Sequence, residues 1–214
     1  MTKSFKTLMN VNDPSSLFEE ALRLLTSKRG LLLDFWEGLE LLRDLADQGY
    51  SEAQNELGGI FQNGLGVERN YEEAVRYYRM AADQGDADAQ YNLAYMLEHG
   101  LGVDRDYGEA AKLYEMAADQ GCGEAQNNLA VLYTEGLGVE LNYREAVRLY
   151  QGAAYSGYGF AQINLAYMLE NGLGVDRDCG KAAELYEMAA KQGIKISKTA
   201  LASMHERLEL DEIR

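Results

Sequence analysis

Between residues 50 and 193 the apolar positions recur at helical spacing. Ala53, Ala89, Ala125 and Ala161 each stand four residues before Leu57, Leu93, Leu129 and Leu165, which places each pair on one helical face. A second helix follows in every case, marked by Ala74, Tyr78, Ala81 and Ala82 and by their equivalents Ala110, Tyr114, Ala117 and Ala118, then Ala146, Tyr150, Ala153 and Ala154, then Ala182, Tyr186, Ala189 and Ala190. Small residues at these positions let helix axes approach while the tyrosine fills the gap. Gly49, Gly85, Gly121, Gly157 and Gly193 close the units at a constant interval of 36 residues. A period of this length means that each repeat is one helix hairpin, which buries its apolar face only when neighbours stack on it.

The polar punctuation agrees. Each hairpin turns through G-L-G-V (Gly64 to Val67, Gly100 to Val103, Gly136 to Val139, Gly172 to Val175), with the first glycine where a left-handed residue ends a helix. The leucine and valine are expected to tuck under the loop. Capping boxes restart the chain at Asn70 with Glu73, Asp106 with Glu109 and Asn142 with Glu145, whereas Asp178 is followed by Lys181, so half of that box is missing. The G-x-G element is not a phosphate cradle: no strand precedes it, no lysine takes the P-loop position, and it recurs four times.

Both ends read as degenerate repeats. Asp34 to Gly49 carries the capping box Asp34–Glu37, Phe35 in the place of Tyr71, and a closing Asp47-Gln48-Gly49. Its partner helix is expected over Ser15 to Ser27, started by Asp13 and Pro14, with Lys28-Arg29-Gly30 replacing the glycine turn. Beyond Gly193, Ser197 and Leu201 fall on the Ala161 and Leu165 positions, predicting a last helix from Lys195 to about Leu210 with a polar outer face. The resulting division is a tail (1–13), a capping repeat (14–49), repeats at 50–85, 86–121, 122–157 and 158–193, and a capping helix (194–214), about eleven helices in all.

The combined pattern A-Q-x-x-L, G-x-G-V, A-x-x-x-Y-x-x-A-A-x-Q-G resembles the Sel1-like repeat, a relative of the tetratricopeptide repeat, over Tyr50 to Gly193. The resemblance implies an all-α, right-handed α-solenoid of helix-turn-helix units acting as an adaptor or assembly scaffold. Some bacterial members bridge the two helices of every repeat with a cysteine pair. This chain departs from them, with only Cys122 and Cys179, 57 residues apart and at different repeat positions, so reduced thiols are expected.

Composition narrows the function further. With 35 acidic against 20 basic residues the net charge is −15, which argues against nucleic acid or an anionic membrane as the ligand. The charge suits a solvated, repulsive surface, and a basic protein partner is the sharper alternative. Neither an apolar leader core nor a membrane-spanning run is visible, so a cytoplasmic chain is expected. His99 and His205 lie in different repeats, the two cysteines are scattered, and H-E-x-x-H, C-x-x-C and G-x-S-x-G are absent. Neither a catalytic constellation nor a metal or cofactor site is expected.

Candidate binding residues are those on the first helix of each repeat that the repeat does not fix. In the related tetratricopeptide arrangement that helix lines a concave face, where Asn55, Tyr91, Asn127 and Ile163 form one ladder and Asn92, Asn128 and Asn164 the next. Further along lie Tyr95, Val131 and Tyr167, then Glu98 and Glu170. Asparagine amides can donate to and accept from a peptide backbone, and tyrosines give rigid amphipathic contact area. The alternative is that the asparagines bond neighbouring helices and the tyrosines pack between repeats. Phe160, with Tyr155 and Tyr158, makes an aromatic cluster at a repeat junction, either a hot spot or a local core adjustment.

A second period complicates these ladders. Residues 86–121 match 158–193 at 27 of 36 positions but match 122–157 at only 17, so the array grew by copying a pair and shared residues carry ancestry. The expected function is a non-enzymatic scaffold that binds a protein or peptide on the concave face, as a monomer, with a homo-oligomer the open alternative. An immunity or inhibitor role against a toxic enzyme is a second possibility, and an enzyme acting on cell-wall or small-molecule substrates a distant third.

Overall fold

The computed structural model describes residues 13–26 and 32–212, with side chains described as far as Met204. These residues form eleven helices and no strand: α1 (Pro14–Leu25), α2 (Leu32–Asp47), α3 (Ser51–Asn63), α4 (Tyr71–Ala82), α5 (Ala87–His99), α6 (Tyr107–Asp119), α7 (Gly123–Glu135), α8 (Tyr143–Tyr155), α9 (Gly159–Asn171), α10 (Cys179–Lys191) and α11 (Lys195–Glu212). The architecture is an all-α repeat fold of the solenoid class. The chain divides into two compact units, Met1–Asp104 and Arg105–Arg214. The expected tail and the Lys28-Arg29-Gly30 turn lie outside the described residues, apart from Asp13.

The first unit begins with the degenerate hairpin. Asp13 caps α1 by accepting from the Ser16 amide, and Pro14 opens the helix where no amide donor is needed. Gly38 lets α2 come close enough that a Cβ there would lie 2.9 Å from the Ala21 carbonyl oxygen. The core joins this hairpin to the next through Ala21, Leu39, Leu42, Leu45, Ala53, Leu57 and Ile60, all fully or nearly fully buried. Burial of each large aliphatic side chain contributes roughly 1.5–3 kcal/mol. Within the α3–α4 hairpin the ring of Tyr78 lies over Gly58, 2.5 Å from where a Cβ would stand.

The second unit repeats the scheme without a degenerate member at its start. Tyr114, Tyr150 and Tyr186 are buried on the second helix of their repeats, and Leu129, Leu132 and Leu165 are buried on α7 and α9. Ser197, on α11, is fully buried at the alanine position, and its hydroxyl donates to the Ile194 carbonyl at 2.6 Å.

Two local expectations are corrected. The first glycine of each turn does adopt the left-handed conformation, and Leu101, Leu137, Leu173 and the four turn valines are half-buried, Val67 against the core, but Leu65, expected to tuck under its loop, is 56% exposed. That loop is held by Val67 on the core, by the Leu65 amide on the Ile60 carbonyl and by the second glycine, which packs on the preceding repeat. A Cβ on Gly102 would lie 2.3 Å from the Tyr71 carbonyl carbon, and one on Gly138 would be as close to that of Tyr107. The glycine turn is therefore a repeat-packing device filled by backbone.

The capping boxes are one-sided at Asn70 and Asn142, and the expected Asp34–Glu37 box does not open its helix, because α2 begins at Leu32 and holds Asp34 within its first turn. Asn70, Asp106, Asn142 and Asp178 all accept from the amide three residues on. The return bond from the glutamate has no free donor at Asn70 and Asn142, whose own amides already donate to the Phe61 and Tyr133 carbonyls. Glu73 and Glu145 pair with Arg76 and Arg148 instead. The Lys181 exception thus loses little: its ammonium reaches Asp178 at 3.1 Å.

Candidate functional site

The first helices of the repeats, α3 and α5 in one unit and α7 and α9 in the other, carry the candidate residues. Their asparagines bond to each other diagonally. Asn92 Nδ2 donates to Asn55 Oδ1 at 3.0 Å, and Asn164 Nδ2 donates to Asn127 Oδ1 at 2.9 Å, each bond joining residues 37 apart in sequence. Asn127, only 6% exposed, passes the chain on to Asn128 Oδ1 (3.1 Å), and Asn128 Nδ2 donates to the Tyr114 hydroxyl (3.1 Å). The amides are thus held in fixed orientations, with part of their hydrogen-bonding capacity already used inside the fold.

The tyrosines divide. Tyr167 on α9 is 54% exposed. Its equivalent Tyr95 on α5 is half-buried and stacks on His99, ring centroids 4.1 Å apart, while His99 Nδ1 lies 2.9 Å from the Tyr95 carbonyl oxygen. Tyr91, Val131 and Ile163 are half-buried. Phe160 is 53% exposed in the first turn of α9, with its ring 5.8 Å from that of Tyr158.

The acidic ladder position belongs to the hairpin interior. Glu170 is buried and accepts from the Tyr186 hydroxyl at 3.1 Å. At the same position Gln62 Oε1 accepts from Tyr78 at 2.6 Å, and the Thr134 side chain is hydrogen-bonded to Tyr150. Burial pushes the Tyr150 phenol up to about 12, and also raises Tyr78, helped by the charge of Glu56. Glu98 is half-buried and engaged.

Two features were not singled out by sequence reasoning. The glutamine of A-Q-x-x-L is a junction residue: Gln54 Nε2 donates to the Ala46 carbonyl at 2.9 Å and its oxygen accepts from Gln84, and Gln162 accepts from Gln192 in the same way. Its recurrence at every repeat was the available signal. In the first unit, Trp36, Arg43, Phe61, Val67, Glu68, Arg69 and Asn70 line a crevice of about 450 Å³. Nothing in the repeat pattern marks Trp36, which stands where Glu72 stands one period later.

Among the described residues, no group of three or more histidine, cysteine or acidic side chains converges as a metal site, and no helix is long and apolar enough to cross a membrane. Cys122 and Cys179 are half-buried thiols that are not joined in a disulfide, and the Cys122 thiol donates to Glu124 Oε2 at 3.8 Å.

The Sel1 repeat family model matches the sequence four times, at residues 51–86, 87–122, 123–158 and 159–194. The chain belongs to the Sel1 repeat family. Among solved structures it is similar to a protective antigen of uropathogenic Escherichia coli with this fold (31% identity, TM-score 0.83), covering 91% of this chain but only 41% of the antigen. It is also similar to a Sel1 repeat protein from Oxalobacter formigenes (28% identity, TM-score 0.81), covering 90% of this chain and 76% of that one. An immunity protein from Pseudomonas aeruginosa shares the fold at 22% identity and a TM-score of 0.55, over 90% of this chain and 70% of its own length. No curated protein matches this Sel1 repeat sequence significantly.

Proposed function

We propose that this Sel1 repeat chain is a non-enzymatic interaction scaffold that binds a protein or peptide segment along the exposed faces of its first-helix series. The observation that carries this reading is on α9: Tyr167 presents more than half of its surface to solvent beside Asn164, whose amide is held by Asn127. A rigid aromatic next to an oriented amide is the combination that anchors an extended backbone at low entropic cost. Asn55, Asn92 and Tyr95 offer a comparable set in the first unit, with Tyr95 braced by His99. A net charge of −15 favours a basic segment as the occupant.

The test is capture of partners by the intact chain and by a Tyr95→Ala/Tyr167→Ala variant of unchanged helicity. Loss of the same partners from the variant supports the proposal, and retention at full affinity overturns it. Asn128 is left intact because its amide holds the Tyr114 hydroxyl. The immunity role of the Pseudomonas aeruginosa neighbour is not adopted, since at 22% identity the likeness is one of fold.

A further inference from the structure

The repeat junctions carry acids until the last two. Asp83 and Asp88 flank one junction, and Asp119 and Glu124 the next, all exposed. At the junction after these the positions hold Tyr155 and Phe160, and at the last Lys191 and Ile196. Tyr155 is 96% exposed, Ile196 62% and Phe160 53%.

Both altered turns lie in the second unit and touch. Gln192 Nε2 donates to the Gly157 carbonyl at 3.0 Å, and the methyl end of Ile194 lies 2.4 Å from where a Cβ on Gly159 would stand. Lys191, Lys195 and Lys198 are exposed, and no acid interrupts residues 191–198. One edge of a strongly acidic protein has thus exchanged acids for aromatic and aliphatic side chains flanked by ammonium groups. Single exposed apolar residues need no explanation, but the replacement falls on equivalent positions in two adjoining turns.

From this edge we infer a second docking surface, formed by the Tyr155–Phe160 and Lys191–Ile196 turns, for an acidic protein segment bearing apolar anchors. Carboxylates of the segment pair with the lysines, while its apolar side chains cover Tyr155, Phe160 and Ile196. The charge preference is the reverse of that proposed for the first-helix faces, so the two surfaces can hold different partners. An anionic membrane fits less well, because membrane-binding patches gather about 4–8 basic residues and the remaining acidic surface repels the bilayer.

Panning a random peptide display library on the whole protein, with subtraction on Tyr155→Asp/Phe160→Glu, tests the inference. Those substitutions install residue types that other junctions already carry. The expected result is enrichment of acidic peptides with aromatic or aliphatic residues. Their affinity should fall with salt and drop at least about tenfold in both that variant and Lys191→Asp/Lys195→Glu, with helicity unchanged. Selected peptides that are basic or neutral, or that bind the variants equally, overturn it. So does binding confined to phosphatidylglycerol vesicles, or self-association in sedimentation that the variants abolish without any peptide binding, which would assign the edge to a membrane or to a second copy of the chain.

Discussion

The Tyr186 hydroxyl donates to the buried carboxylate of Glu170 at 3.1 Å, tying the two helices of the last hairpin together across 16 residues of sequence. Gln62 takes the same place opposite Tyr78, so the position requires an acceptor and does not require a charge. Tyr186→Phe is expected to lower stability by about 1–3 kcal/mol by removing a donor from a buried acceptor. Glu170→Gln keeps the acceptor and is expected to be neutral or stabilising. Chemical denaturation of the two variants decides between a structural glutamate and a carboxylate kept for a ligand.

The asparagine pair in the second unit separates packing from binding. Asn127→Ala removes the acceptor of Asn164 from a nearly buried site, and a loss of about 1–3 kcal/mol is expected. A double-mutant cycle with Asn164→Ala should return a coupling of roughly 0.5–3 kcal/mol. Tyr167→Ala, at an exposed position, should stay within about 0.5 kcal/mol of the parent while weakening partner binding. Equal stability losses at Asn127 and Tyr167 would mean that the tyrosine is a packing residue.

The sequence made the period, the hairpins and the ends legible because helical facing and glycine punctuation are local signals. Ala53 with Leu57, and Gly85 with Gly121, need no neighbour to be read. The candidate site was only partly legible, because an exposed register is shared by residues that meet a ligand and residues that meet the next repeat. Asn164 reaches Asn127 by a diagonal set by how far one helix slides past another, and no interval within one helix encodes that offset. Glu170 reads as a ladder residue because its register on the first helix is not fixed by the repeat, yet the buried tyrosine of the following helix claims it.

Two glycines of the second unit with positive φ should differ sharply when replaced. Gly157 (φ +92°) has nothing within 4 Å of the place a side-chain carbon would take, so Gly157→Ala carries only the backbone strain, roughly 1–2 kcal/mol. Gly138 (φ +68°) would place that carbon 2.3 Å from the carbonyl carbon of Tyr107, where backbone cannot yield. Gly138→Ala is expected to cost at least about 3 kcal/mol more and to loosen the contact of the turn with α6. Hydrogen exchange at the Tyr107–Ala111 amides reads this directly: protection unchanged in Gly138→Ala would refute the packing role of the turn.

Acidification should stabilise the first unit before it destabilises it. Partial burial and then the charge of Asp88 raise the Glu56 carboxyl above its ordinary value, and burial, the largest of several influences, raises Asp86 as well. A carboxylate with a raised native pKa binds its proton more readily folded than unfolded. Its stabilising contribution therefore appears as the pH falls through the native pKa and is complete below the unfolded value of about 4. At neutral pH the ionised group is a liability, so Glu56→Gln should raise the melting temperature there and reduce the gain seen on acidification. The ordinary loss at lower pH, where a lowered group such as Glu20 takes up its proton, should persist in the variant. Melting temperatures of parent and variant from about pH 7 down to about pH 4 provide the check. Parallel curves over that range would show that Glu56 does not set the slope.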